Sequence, residues 1–245
     1  MKLSICPTCG QLLQFESASC RRCAAPLGFI PGNMELSALI PRFGGVVSPK
    51  TRPEEEWHTC GNAGKAGCNW LVPVETHEPY CVACRLNRNV ADLSDPAHLE
   101  KWRAIECAKR RLIYSLLRLG LPIASQTDGT QRGLAFDFRA STKDEQVFTG
   151  HANGLITINI SEACSAERER QRVALGEPYR TLVGHMRHEA GHFYWDLLVW
   201  DGGRIGASEV GERREIGRTH VDLRAECEPG GATFGIELED DALAL

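Results

Sequence analysis

The sequence lacks any run of about 18 apolar residues, so it offers no helix fit to cross a bilayer. Residues 1–9 lack a basic stretch followed by an apolar core, which argues against a secretory signal and for a cytoplasmic protein. Strong charge is also missing. The formal net charge of -4 implies no global field and gives no indication of a nucleic-acid partner. Helical periodicity is absent from about the first 90 residues, and there is no internal repeat beyond two successive cysteine modules. The hydrophobic fraction of 42% and charged fraction of 24% are ordinary for a globular chain, and 245 residues suffice for one medium domain and a small one.

Cysteine is plentiful. There are 11, an odd number that fits a fully disulfide-bonded protein poorly, and most stand in close pairs. Cys6-Pro7-Thr8-Cys9 is followed after a gap by Cys20-Arg21-Arg22-Cys23. Each pair makes a tight knuckle whose sulfurs face one centre, and two knuckles complete a tetrahedral four-thiolate site. Two separated knuckles suit mononuclear zinc better than an iron-sulfur cluster. The second module is looser: Cys60 and Cys68, then Cys81-Val82-Ala83-Cys84, with His58 and His77 as substitute ligands nearby. Cys60, Cys68, Cys81 and Cys84 are the favoured set. With all four positions filled by protein, both sites read as structural, supplying folding energy to a region with little apolar core of its own. Cys107, Cys164 and Cys227 have no partner at useful spacing, and Arg21, Arg22, Arg85 and Arg88 read as a solvated face.

Beyond the cysteines the patterning changes. Asp95-Pro96 opens a helix over 97–119, with Leu99, Trp102, Ile105, Leu112, Leu116 and Leu119 near one face and Lys101, Arg103, Lys109 and Arg110 off it. Strands are expected at 133–138, 146–149 and 155–160. Ser161 is expected to cap a charged helix to about Leu175, and Thr181 a helix to about Trp200.

That last helix carries His188-Glu189-Ala190-Gly191-His192. Positions four apart share a helix face, so His188 and His192 can reach one metal ion. Glu189, beside the first ligand, is placed to accept a proton from a water acidified by that metal. Leu182, Met186, Phe193 and Leu197 form an apolar stripe, opposite a polar one of His185, His188, Glu189, His192 and Asp196. His185 and Asp196 read either as supports of the ligands or as ordinary polar residues. The strand at 155–160 reads either as an exposed edge that aligns a substrate backbone or as an ordinary sheet strand.

Taken together, Cys6 to Gly10, Leu27-Gly28-Phe29 after Cys23, 68–73, 81–86, 108–112, Thr149-Gly150-His151, 177–182 and Tyr194-Trp195-Asp196 resemble bacterial zinc-binding metallopeptidases with an amino-terminal zinc ribbon. The resemblance spans residues 3 to about 199. It implies an α+β chain: a small β zinc-ribbon region over 1–92, then a zincin-like domain over 93–200. It implies zinc as cofactor and a peptide or protein as substrate. Residues 201–245 depart from the family pattern and read as a divergent, poorly ordered tail, the product of truncation or a frame shift. The family's third zinc ligand, an acidic residue on a later tryptophan-rich helix, has no counterpart there; Glu209, Glu212, Glu215, His220 and Glu226 are all candidates. Two functions follow: a zinc-dependent peptidase, or a zinc-ribbon binding module attached to an inactive peptidase fold.

Overall fold

The computed structural model describes residues 3–126, 129, 132–176 and 180–200. Where helical periodicity is absent, the chain folds into short strands. β1 (Ser4–Ile5) and β2 (Leu12–Leu13) form an antiparallel ribbon. β3 (Leu27–Ile30), β4 (Glu35–Pro41), β5 (Val46–Pro49), β6 (Trp57–Thr59) and β7 (Leu71–Pro73) then pair antiparallel in chain order. Proline ends β4, β5 and β7, where the missing amide stops the ladder. The outer strands of this sheet come back together. The Phe29 amide donates to the Asn69 carbonyl at 2.7 Å, and a Cβ on Gly28 would lie 2.7 Å from Leu71 Cδ2. Only glycine permits that approach.

A short helix, α1 (Ala63–Ala66), separates Cys60 from Cys68. β8 (Asn87–Val90), α2 (Pro96–Arg118), β9 (Ala135–Arg139), β10 (Gly150–Ala152) and β11 (Leu155–Asn159) follow. They build a four-stranded sheet of order β10-β11-β9-β8, in which β11, β9 and β8 run parallel and β10 antiparallel. β8 lies on the ribbon side of residue 92, yet it pairs with β9. α3 (Ser165–Leu175) and α4 (Leu182–Trp195) are the last helices among the described residues, α4 running on through a wider turn at Asp196–Trp200. The fold is α+β, and no described helix is long and apolar enough to cross a membrane.

α2 starts as the sequence dictates: Asp95 accepts from the Ala97 amide at 2.8 Å and Pro96 occupies the first turn. Trp102, Ile105, Leu112 and Leu116 are buried. Lys109 and Arg110 are buried too, contrary to their expected place off the apolar face. The reason is enclosure. α2 has α1 and the aromatic cluster of the ribbon on one side and β9 and α4 on the other, so more than one stripe is covered.

Two other expectations need correction. Residues 146–149 form no strand. The Asn159 side chain donates to the Val147 carbonyl at 2.9 Å, and the Thr149 hydroxyl accepts from the Asn159 amide at 3.0 Å, so side-chain bonds replace a ladder there. Ser161 does not cap α3. Asn159 caps a 3-10 turn at Ile160–Ala163, and α3 starts after Cys164.

One continuous core runs from Cys6 and Leu13 through Trp70 and Leu112 to Ile158 and Phe193. Its middle is aromatic: Phe15 meets Phe29 at 4.9 Å and Tyr114 of α2 at 5.0 Å, and Phe29 meets Trp70 at 4.7 Å between ring centres.

Candidate metal centres and active site

Both cysteine modules converge. The sulfurs of Cys6, Cys9, Cys20 and Cys23 lie within 4.8 Å of one another, and so do those of Cys60, Cys68, Cys81 and Cys84. Measured separations are 3.7 Å for Cys6–Cys23, 3.6 Å for Cys9–Cys20, 3.7 Å for Cys68–Cys81 and 3.8 Å for Cys68–Cys84. Four sulfurs at about 2.3 Å from a tetrahedral zinc stand about 3.8 Å apart, so both sets fit that ion. His58 and His77 are not in the second set. Packed together, the four buried thiols of that set act on one another. Hydrogen bonds from its neighbours pull the Cys60 thiol down, the same bond pushes Cys68 up, and burial pushes Cys81 up.

α4 begins with the Thr181 hydroxyl accepting from the Gly184 amide at 3.0 Å. Met186, Ala190 and Phe193 then face the core. One turn on the other side brings His188 Nε2 and His192 Nε2 to 3.0 Å, with their rings nearly perpendicular at 88°. Two nitrogens bound at about 2.0–2.1 Å to one tetrahedral zinc stand about 3.3 Å apart, which this pair approaches. Glu189 is buried between them in sequence, its carboxylate 3.1 Å from His185 Nε2.

His185 is held on both sides. Its Nδ1 lies 2.7 Å from Glu162, a buried carboxylate in the turn after β11 that also receives Arg180 at 3.4 Å. Burial opposes charge on the imidazole, but hydrogen bonds to Glu162 and Glu189 prevail and raise its pKa to about 9. Burial also opposes ionisation of Glu189, yet the His185 hydrogen bond keeps its carboxyl below the usual range. His185 thus joins two carboxylates, and Glu162 is a site residue that spacing alone did not reveal.

His151 is another. It lies on β10, its ring parallel to that of His192 within 12° at a centroid distance of 6.4 Å. Its Nε2 accepts from the Gly154 amide at 2.9 Å, and burial, with His192 nearby, lowers its pKa. The neutral ring therefore carries its proton on Nδ1. Gly154 supports this turn at φ +80°, where a Cβ would lie 2.3 Å from the Gly133 carbonyl. Of the two readings of the strand at 155–160, the ordinary sheet strand holds: β11 is internal, and β10 occupies the edge beside α4 because the tight turn at 153–154 folds it back onto β11.

Comparison with known proteins matches this architecture. Residues 3–95 match the model of a zinc-ribbon domain, and residues 98–215 match the family described as "Putative zinc-binding metallo-peptidase". The chain thus resembles, in adjoining segments, a zinc ribbon and a zinc-binding metallo-peptidase. Uncharacterized proteins of Mycobacterium bovis and of two strains of Mycobacterium tuberculosis are each 39% identical over 194 residues, 79% of this chain and 53% of theirs. The chain thus spans about half the length of these bacterial relatives. No solved structure matches it.

Asp196 is exposed at the end of α4, with His151 within electrostatic reach. Cys107 is half-buried, and Cys164 is exposed. Arg88 is exposed, as expected of a solvated face, and it also clasps Asp137 of β9 through two bonds of 3.0 and 2.8 Å. Glu209, Glu212, Glu215, His220, Glu226, Cys227 and the whole expected tail over 201–245 lie outside the described residues.

Proposed function

We propose that the chain is a zinc-dependent peptidase whose hydrolytic centre is built on α4. The observation that carries this reading is the 3.0 Å approach of His188 Nε2 to His192 Nε2, with the buried Glu189 carboxylate on the same helix. His188 and His192 act as zinc ligands and Glu189 as general base. Zinc bound there supplies Lewis acidity and lowers the pKa of a water. Glu189 stays ionised because His185, locked to Glu162, donates to it, and so it is ready to accept a proton. An extended peptide pairs along the free edge of β10, beside His151, whose Nδ1 proton is a donor directed by its bond to Gly154.

The ribbon region over 1–92 carries the two structural zinc ions, on Cys6, Cys9, Cys20 and Cys23 and on Cys60, Cys68, Cys81 and Cys84. It serves as a metal-stiffened support for the hydrolytic domain from residue 93. Ten described cysteines are free, which suits a reducing, cytoplasmic compartment.

A peptide-library cleavage assay tests the proposal. Glu189→Gln should lower cleavage by roughly 10²–10⁴-fold while metal content stays unchanged. Equal cleavage by wild type and variant would contradict it.

A further inference from the structure

β10 reads Gly-His-Ala, and the turn that follows it decides which of its main-chain groups are free. Ala152 pairs with Leu155 across the two residues Asn153 and Gly154, which stand at φ 49° and 80°. Two successive positive φ values make a type I′ turn, in which the carbonyl of the first residue accepts from the amide of the fourth. Ala152 and Leu155 are therefore a hydrogen-bonded pair. Antiparallel pairs alternate, so His151 and Ile156 are a non-bonded pair, and Gly150 and Thr157 a bonded one. The alternation continues past the ladder, where the Asn159 amide turns to the β10 side and meets the Thr149 hydroxyl at 3.0 Å. The amide and carbonyl of His151 thus point away from β11. No strand lies beyond β10 among the described residues.

Gly150 and Ala152 turn their main-chain groups to β11 and carry at most a methyl, on the opposite face from His151. The His151 ring lies on the α4 face, parallel to His192 at 6.4 Å and 6.2 Å from the Phe193 ring centre. A chain docked on this edge meets two free main-chain groups and one large side chain, all from one residue beside the histidine pair of α4.

We propose that His151 is the specificity-determining residue of the edge: an extended substrate runs antiparallel to β10 and is gripped at one residue, opposite His151, whose own N–H is required. The inference rests on reading α4 as a hydrolytic zinc centre. Both bonds go to that single residue because an antiparallel hydrogen-bonded pair exchanges both. Its side chain falls on the same face as the His151 ring, against α4, and is the one selected. The residues on either side face Gly150 and Ala152, which offer almost no side chain to select them. Proline or an N-methyl residue is therefore rejected at the gripped position and accepted beside it.

The test uses the full zinc-loaded chain and a peptide that it cleaves. Single N-methyl groups are walked through that peptide, and each product is measured as a competitor of the parent. One position should weaken binding roughly 3–10-fold, and its two neighbours should bind like the parent. On the protein side, His151→Pro lacks both the ring and the outward amide, whereas His151→Ala lacks only the ring. KM for the parent should be roughly 3–10-fold higher in His151→Pro than in His151→Ala. Amide exchange keeps the native strand: in Glu189→Gln, added parent peptide should protect the His151 amide and leave the Ala152 amide, already bonded to Leu155, unchanged. Indifference to every methyl, equal losses at adjacent residues, equal KM in the two His151 variants, or an unprotected His151 amide overturns the proposal while cleavage stands. Absence of cleavage by the zinc-loaded wild type overturns the hydrolytic reading, and the proposal falls with it.

Discussion

Among single residues, the chemistry is decided by which polar groups are buried together. His185 illustrates the point. Burial alone would pull its pKa down, but Glu162 and Glu189 hold it at about 9. A group whose pKa rises on folding contributes stability below its unfolded value, here 6.5, and loses it as pH climbs through about 9. Glu162→Gln removes one of the two carboxylates. Denaturant unfolding should then show the variant less stable by on the order of 2 kcal/mol below about pH 6.5, with the gap narrowing toward pH 10. A gap that does not change with pH would remove His185 from the account. The convergence of the cysteine pairs and the approach of His188 to His192 were legible in the sequence because that geometry follows from short spacings. Glu162 and His151 were not: they reach α4 from residues 23 and 41 positions away, His185 and His192, and no local period encodes such a meeting.

Helices and strands were legible where a local signal acts alone. The Asp95 cap and Pro96 set the start of α2, and Thr181 that of α4. Thr181→Ala should cost about 1 kcal/mol in thermal or denaturant unfolding. Local signals failed where side chains took over the role of the ladder, as Asn159 does at Val147 and Thr149. They failed again where an element was covered on two sides, as Lys109 and Arg110 are on α2. The β10–β11 turn belongs at this level too. Gly154→Ala places a methyl against the Gly133 carbonyl in a left-handed backbone, which should cost about 1–3 kcal/mol. Because the Gly154 amide fixes His151, the same variant should shift the His151 ring resonances, which a merely global loss of stability would leave in place.

Across the whole molecule, the ribbon region and the following domain share a core. Asn69, next to Cys68, donates to the carbonyls of Phe15 and Ser17, and Phe15 in turn packs on Tyr114 of α2. Metal loss from the cysteine sets should therefore reach the domain that carries α4. Chelation should abolish the near-ultraviolet dichroism of the Phe15, Phe29, Trp70 and Tyr114 cluster in one cooperative step, and zinc should restore it. The α+β class came with the resemblance carried by the cysteine pairs and the motif from His188 to His192. The joining of the two parts by β8 and the aromatic cluster was not legible, because it depends on contacts between distant segments.

By the proposed function, α4 presents a third metal-binding centre beside the two thiolate sets. Elemental analysis of the purified chain and of His188→Ala tests it most directly. Three zinc ions per chain are expected in the wild type and two in the variant, one for each cysteine set. Two zinc ions in both proteins would contradict a metal centre on α4.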